Sequence, residues 1–296
     1  MPVALPLGAD ERALLERLNR LALEQRIDFD ADLDWSARTT AAELLALYDA
    51  WSLLAGSGRD ATLGAAERID FARYQQVNLM LFTAYLERYG LRVLARLRGE
   101  EEDRELLEAL DHFAREENAH QRMFLRAVAA LEAEMPSRRL LPRRQLRLFF
   151  GALFGLLAAL PLRRVRVSAS FLVLQFAEDI SIIAHSVAGR AIARKDSLVP
   201  RIWALHAQDE ARHLRIDALL RARHRPPAVL EPLVRLAAAA LAVASSALLN
   251  ANDVWAARQV GARVSLWHLP MLLKRTTAPF KRRVLSTLAS LWTRPV

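Results

Sequence analysis

Two Glu-x-x-His motifs, each inside a long segment of helical periodicity, constrain the fold of this chain most strongly. Glu117 and His120 form the first motif, and Glu210 and His213 form the second. Residues three or four positions apart share one face of an α-helix, so each motif presents a carboxylate and an imidazole on one side of its helix. His206 comes one turn before Glu210, which predicts three donor side chains on one stripe of the second motif helix.

Each motif helix follows a predicted helix that carries one inward-facing glutamate. These glutamates are Glu87, which lies in an uncharged stripe, and Glu178. The four helices are predicted at about 65–98, 102–134, 166–194 and 199–223, with a crossover of about 15 residues forming its own helix. One Glu from each of two helices and a Glu-x-x-His from each of two others is the pattern of ferritin-like dimetal proteins. We therefore predict an all-α, ferritin-like four-helix bundle with additional N- and C-terminal helices.

Composition supports this fold class and limits the chemistry. The chain has 296 residues, of which 53% are hydrophobic, with only 10 Gly and 12 Pro and no convincing strand alternation. The absence of cysteine excludes disulfides, thiolate metal sites and a cysteine nucleophile. We expect a single domain over 1–296, with a metal-binding core at about 65–223 and accessory helices in 1–55 and 228–296.

Local signals predict where the remaining segments begin and end. Pro136 and Pro142 are expected to break the chain before the crossover helix. Beyond the bundle, Leu230 to Asn250 and Val254 to Trp267 are expected to form two helices outside the core, followed by a basic tail.

The donor set predicts a centre with two metal ions. The predicted ligands are four glutamates and three histidines: Glu87, Glu117, His120, Glu178, His206, Glu210 and His213. Four carboxylates balance the charge of two divalent ions, and this avoids the large cost of burying uncompensated charge. Mixed oxygen and imidazole donors suit iron, with manganese as the other metal they would accept.

A second layer of residues is predicted to hold these ligands in place. A metal-bound histidine usually donates its other ring N–H to a carboxylate. We expect Asp209 to hold His120 and Glu116 to hold His213, with Arg212 neutralising one of the two acids. His185 lies two turns after Glu178 and is expected to be a core or supporting histidine rather than a ligand.

The net charge of +9 is concentrated in two segments. Residues 135–177 contain eight Arg and no acid, and residues 254–296 contain eight Lys or Arg and no acid. No nucleic-acid-binding motif accompanies them, so we expect a solvated basic surface, or docking of an acidic carrier protein or a membrane surface, and no nucleic acid. The start lacks a secretory signal, and the longest apolar run of 15 residues is shorter than a membrane span, so a cytoplasmic location is expected.

The ordered motifs resemble the p-aminobenzoate N-oxygenase family of non-haem diiron oxygenases. The matching elements are Glu87, Glu116 with the Glu117–His120 motif, Glu178, and the segment His206–His213. His206 sets this pattern apart from other diiron carboxylate proteins, and Glu116 stands where related sites often have Asp. The resemblance implies two iron ions, O2 as co-substrate, and stepwise oxidation of a small amine through hydroxylamine and nitroso stages. An external electron donor is then required, because nothing in the chain indicates a flavin or nicotinamide site.

Three other readings keep part of this pattern. A diiron C-hydroxylase or desaturase would act on a carrier-bound or lipid-like substrate. A ferritin-like protein would oxidise iron without an organic substrate, in a hollow oligomer. A structural protein at a membrane surface would not need the motif histidines. A homodimer is the expected oligomeric state.

Overall fold

The computed structural model describes residues 7–135, 143–160, 162–194 and 197–290, except for the side chain of Gln145. Those residues form eleven α-helices and no β-strand. The helices are α1 (Ala9–Glu24), α2 (Phe29–Asp32), α3 (Ala41–Trp51), α4 (Ala65–Arg98), α5 (Arg104–Ala133), α6 (Arg143–Ala158), α7 (Arg163–Ala191), α8 (Leu198–Arg223), α9 (Glu231–Gln259), α10 (Leu269–Arg275) and α11 (Pro279–Ser290).

Helices α4, α5, α7 and α8 are the four bundle helices that the sequence predicts. Local capping explains how two of the helices begin: Asp103 accepts a hydrogen bond from the Leu106 N–H at the start of α5, and Thr40 and Glu43 form a capping box on α3. Helix α4 packs along α5, and α7 packs along α8. The all-α, ferritin-like bundle with additional terminal helices is confirmed.

Helix α6 is the crossover between the two halves of the bundle, and it packs on α4 and α7. Its buried face includes Phe150, which contacts the ring of Phe82 on α4 with their centroids 5.0 Å apart. The chain break expected at Pro136 and Pro142 lies outside the described residues. So does part of the basic segment before α6.

The C-terminal region differs from the expectation of two helices outside the core. One continuous helix, α9, covers the first predicted helix and the start of the second, and it ends at Gln259, so the second predicted helix does not extend to Trp267. Val234 and Ala242 of α9 belong to the hydrophobic core. Asn252 and Asp253 lie between the two predicted helices, but Asp253 is buried and its carboxylate is 2.6 Å from Lys281 Nζ. This ion pair lets α9 continue and packs α9 against α11. The basic tail also contains helix, namely α10 and α11.

Two helical segments are long and apolar enough to cross a membrane, by length and composition alone. The first is Arg163–Ala191, and 72% of its most apolar 18-residue stretch is buried inside the protein. The second is Ala228–Gln259, with 39% of its window buried. Core helices of soluble proteins pass the same test, and the first segment carries Glu178 in the middle of the bundle, so this finding is weak as an indication of a membrane protein.

Candidate metal centre

The stripe predicted on α8 faces the middle of the bundle. His206, Glu210 and His213 are each at most 2% exposed. They share one side of the helix because they are four and three residues apart. Glu117 and His120 of α5 face the same region and are also buried, as is Glu87 of α4. The bundle therefore brings carboxylate and imidazole donors from α4, α5 and α8 into one buried region.

The first donor group consists of Glu87, His120, His206 and Glu210. One ligand atom from each residue lies within 4.8 Å of the others. His206 Nε2 is 2.8 Å from Glu87 Oε1 and 2.6 Å from Glu210 Oε1. His120 Nδ1 is 3.6 Å from Glu87 Oε2. Two imidazoles and two carboxylates thus surround a point that an ion with oxygen and nitrogen ligands could occupy.

The second donor group consists of Glu117, Glu210 and His213, again with ligand atoms within 4.8 Å of one another. His213 Nδ1 is 3.0 Å from Glu117 Oε1 and 3.5 Å from Glu210 Oε2. Glu210 belongs to both groups and offers a different oxygen to the histidine of each. A carboxylate shared in this way is the expected bridge between two metal ions.

Glu178 belongs to neither donor group, but it lines the same internal cavity as the other three glutamates. This cavity has a volume of about 20 Å³ and is bordered by Glu87, Glu117, Glu178 and Glu210. Such a space is about large enough for one water molecule. The structure therefore brings all four predicted carboxylates to one small cavity, with Glu178 on its α7 side.

Several buried donor atoms in this cluster have no hydrogen-bond partner among the described residues. They are Glu87 Oε2, Glu178 Oε2, Glu210 Oε2, His120 Nδ1 and His213 Nδ1. Buried polar atoms are normally satisfied, because each one left without a partner costs about 1–3 kcal/mol. The unsatisfied atoms here face other donors, so the residues present fit a pair of metal ions.

The electrostatics of the glutamates point the same way. Burial raises the pKa of Glu87 to about 7, and the nearby Glu117 carboxylate contributes to the rise. Burial and the carboxylate of Asp217 raise the pKa of Glu178 well above its ordinary value. Burial also opposes the charge of Glu210, yet His206 and His213 hold the pKa of its carboxyl well below its ordinary value. Like charges buried together need either protons or cations.

The two motif histidines are held from behind by carboxylates of the opposite helix pair. His120 Nε2 of α5 is 3.0 Å from Asp209 Oδ2 of α8. His213 Nε2 of α8 is 2.8 Å from Glu116 Oε2 of α5. Arg212 contacts both acids: its Nη2 is 2.7 Å from Glu116 Oε1 and also hydrogen-bonds to Asp209 Oδ1. The sequence predicts the contacts of Asp209 with His120 and of Glu116 with His213. It predicts that Arg212 neutralises one of the two acids, whereas in the structure Arg212 contacts both.

Aromatic rings of α5 enclose the imidazoles of α8. Phe113 stacks on His213 with ring centroids 3.8 Å apart, and Phe124 meets His206 edge-on at 4.8 Å. These rings are buried and exclude water from that side of the cluster. His185 is half-buried on α7 and belongs to neither donor group.

Asp217 is a residue of this centre that the sequence analysis missed. It is fully buried on α8, and burial raises the pKa of its carboxyl well above the ordinary value. Glu178 is the carboxyl that it faces. The signal in the sequence was its spacing, because Asp217 comes four residues after His213 and extends the stripe of His206, Glu210 and His213 by one turn.

A wide groove of about 760 Å³ reaches the outer side of the centre. It is bordered by the segment around Phe29 and Trp35 and by α5, and it ends at Glu116 and Asp209. The groove therefore approaches the Nε2 atoms of the motif histidines from behind. The cavity among the four glutamates has α4 and α7 in its wall instead, and Gly90 and Leu174 are among its lining residues.

Comparison with protein families identifies a match. The model of the family described as P-aminobenzoate N-oxygenase AurF matches residues 8–267, a span that includes every residue of the centre. No curated protein and no solved structure matches the chain.

Proposed function

The chain belongs to the p-aminobenzoate N-oxygenase family, and from this membership we propose that it is a diiron oxygenase that uses O2 to oxidise the nitrogen of an organic amine. Membership confirms the resemblance seen in the motifs and places the chain in a family of oxygenases. The diiron cofactor, the amine substrate and the role of each ligand are the proposal.

The position of Glu210 in both donor groups is the observation that supports this function best. One iron would be held by the group of Glu87, His120, His206 and Glu210. The other would be held by Glu117, Glu210 and His213, with Glu178 supplying the remaining carboxylate from across the cavity. Four carboxylates and two Fe²⁺ ions are neutral together, which offsets the cost of burying either set alone.

The irons would supply the reduction of O2, and the protein residues would orient the irons and control protons around them. Asp209 and Glu116 accept hydrogen bonds from the Nε2–H groups of His120 and His213. With metal bound, this would fix the tautomer in which the Nδ1 lone pair of each histidine is available to a metal ion. His206 presents Nε2 instead. Once a metal ion replaces its proton, it would add a neutral donor to the first group without changing the charge.

The first step of the proposed reaction requires electrons from outside the chain. In balanced form it is R–NH2 + O2 + 2 e⁻ + 2 H⁺ → R–NHOH + H2O. One oxygen atom enters the new N–O bond and the other leaves as water. An external electron donor is therefore part of the proposal.

The experiment is anaerobic loading with Fe²⁺, followed by ¹⁸O2, an arylamine and a chemical reductant, with product mass and bound iron both measured. We expect two irons per chain and one ¹⁸O atom on nitrogen in the first product. Glu210→Gln should lose both iron and product. His268→Gln serves as the matched control, because His268 contacts Ser265 near α10 and lies outside the centre.

The alternatives predict different results in the same experiment. A C-hydroxylase would place ¹⁸O on carbon and leave the amine intact, and a desaturase would remove two hydrogens without adding oxygen. An iron-handling protein would oxidise iron in proportion to the iron supplied and would form no organic product. Any of these results would replace the N-oxygenase proposal.

A further inference from the structure

The outer face of α6 is apolar and exposed. Leu148, Ala152, Gly155 and Leu156 lie on this face, and we call these four residues the α6 strip. Leu148 is 61% exposed and Leu156 is 66% exposed. The other face of α6 packs on α4 and α7 and buries Phe150 in the core, so the strip is held facing outward. The protein therefore presents an exposed apolar surface along this helix.

Arginines stand at both ends of the apolar segment that contains the strip. Residues 148–162 contain no charged and no polar side chain. Arg144 and Arg147 come directly before this segment and are exposed, and Arg163 and Arg164 follow it. Residues 135–177 contain eight Arg and no acid. An uncharged surface is thus bordered by positive charge on both sides.

A cleft of about 290 Å³ between α4, α6 and α7 adjoins the strip. Gly155 of the strip and Ala158 are both exposed on α6, and both line the cleft. A Cβ atom at Gly155 would meet nothing within 4 Å, so the space beside it is open. Phe154, Leu157 and Phe171 also line the cleft. The apolar surface therefore continues from the strip into the cleft.

The cleft also carries positive charge. Arg92, Arg96 and Arg166 line it, and Glu100 is the one acid among the described lining residues. Glu100 Oε1 lies 3.4 Å from Arg96 Nε and 3.7 Å from Arg166 Nη2. Its Oε2 lies 2.8 Å from Arg163 Nε. One carboxylate cannot neutralise three cations, so this side of the protein keeps a positive excess beside the strip.

An apolar surface between arginines matches the boundary between the acyl chains and the headgroups of a bilayer. Leucine side chains can enter the acyl region while arginines beside them stay at the level of the phosphates. We propose that the α6 strip and the cleft form a peripheral binding surface for a bilayer that contains anionic phospholipid. Leu148 and Leu156 insert into this bilayer, and the arginines meet the headgroup phosphates. The protein lies on the bilayer, because residues 148–162 are fewer than the about 20 that a membrane span needs.

The chemistry of the strip favours a bilayer over an acidic protein partner. The arginines would attract either one through their charge. A typical protein interface, however, contains about ten direct hydrogen bonds, distributed among its polar groups. Residues 148–162 have no side chain that could donate or accept one. A bilayer needs no such bonds from the inserted part of the surface, because its acyl chains are apolar.

The test is cosedimentation of the whole chain with lipid vesicles. Vesicles of equimolar phosphatidylcholine and phosphatidylglycerol are compared with vesicles of phosphatidylcholine alone. We expect much stronger binding to the anionic vesicles, and a decrease in this binding as salt is raised, because salt screens the arginines. Equal binding to both vesicles, or binding to neither, would overturn the proposal. The measurement needs no metal, so its result is independent of the proposed oxygenase activity.

A pair of leucine variants tests the insertion. Leu148→Ser combined with Leu156→Ser should weaken binding to the anionic vesicles by about tenfold or more, because two apolar side chains no longer leave water. Leu23→Ser is the matched control, because Leu23 is also 61% exposed but lies on α1. All three side chains are exposed, so the helical circular dichroism should stay unchanged. Unchanged vesicle binding by the double variant would overturn the proposal.

A pair of arginine variants tests the contact with the phosphates. Arg144→Gln combined with Arg147→Gln should weaken binding to the anionic vesicles by about fivefold for each arginine. Arg17→Gln combined with Arg20→Gln is the matched control, because both of these arginines are exposed on α1. An equal loss in the two double variants would show that overall charge, and not this surface, attracts the vesicles, and would overturn the proposal.

Two other occupants of the strip predict different results. An acidic carrier protein would bind the chain in a salt-sensitive way, while the anionic vesicles would not. A second copy of the chain would give a dimer in size exclusion that Leu148→Ser combined with Leu156→Ser converts to a monomer, with vesicle binding unaffected. Either result would replace the bilayer proposal.

Discussion

The two motif helices, α5 and α8, carry the same Glu-x-x-His motif but differ one turn before it. Four residues before the glutamate, α8 has His206 and α5 has Phe113. His206 contacts two glutamates, whereas Phe113 stacks on the imidazole of the opposite motif. Two halves with the same carboxylate and imidazole pattern thus form unequal donor groups, one with two histidines and one with a single histidine.

The helices differ again two turns after the motif glutamate. At this position α8 has Asp217 and α5 has Phe124. Asp217 faces Glu178, while Phe124 packs edge-on against His206. Polar groups of α8 and aromatic groups of α5 therefore occupy equivalent positions. The comparison shows how one half of the bundle supplies additional polar groups and the other supplies the apolar wall beside them.

The largest expected effect comes from Glu210, the residue that joins the two donor groups. Glu210→Ala should abolish binding of both metal ions, whereas Glu117→Ala should leave the group with two histidines able to bind one. Without the metals no group in the centre can reduce O2, so the proposed oxidation should be lost completely. Metal content by emission spectroscopy measures the difference. Equal retention of one metal in both variants would show that Glu210 is not shared.

Replacing His206 by Phe gives α8 the residue that α5 has at the equivalent position. His206→Phe removes one of four donors from the first group and leaves the second group complete. We expect the metal affinity of the first donor group to fall by about 100-fold. This is the upper end of the losses caused by replacing a residue that only supports a ligand. Chelator competition measures both affinities. An equal loss at both groups would contradict the assignment of His206 to one of them.

Replacing either supporting acid should lower metal affinity by no more than replacing a ligand does, because each acid holds only one histidine in place. Asp209→Asn and Glu116→Gln keep shape and remove charge, and each should lower metal affinity by about 10- to 100-fold. The effect of Asp209→Asn should be the larger one, since the Asp209 side chain is 3% exposed and that of Glu116 is 16% exposed. Chelator competition measures this ranking, with Glu16→Gln as the control because Glu16 is exposed on α1. The reverse order would contradict the ranking.

Much of this arrangement could be predicted from the sequence, because helical spacing is local. The bounds predicted for α4 agree with the structure, and the spacing of His206, Glu210 and His213 placed them on one face. The crossed contacts of Asp209 and Glu116 also follow from spacing, once two motif helices are assumed to face each other.

Contacts between residues distant in the sequence could not be predicted in the same way. The continuity of α9 depends on Asp253 meeting Lys281 and Gln75, and Gln75 is 178 residues away. Asp217 lies outside both motifs, so its role became visible only when α7 placed Glu178 opposite it.

The last expected effect concerns stability, through the charges that the metal-free centre must bury. In the folded protein the pKa of Glu87 is raised from 4.5 to about 7, and that of His206 is raised from 6.5 to about 8. Both groups bind protons more strongly when the protein is folded, so the metal-free protein should lose stability as pH rises from about 5 to 8. We expect the free energy of unfolding to decrease by about 5 kcal/mol over this range, measured by urea titration in the presence of a chelator.

The metal-loaded protein should show the opposite trend over the same range. Metal ions replace the protons on these ligands, so binding strengthens as the ligands deprotonate. In the metal-free protein, His206→Phe should remove the loss of stability at the upper end of this pH range, because it removes the imidazole that α8 has and α5 lacks. Glu87→Gln should remove the loss at the lower end of the range. If the metal-free protein became more stable as pH rose from about 5 to 8, the cluster of glutamates would not need protons or metal ions to be buried.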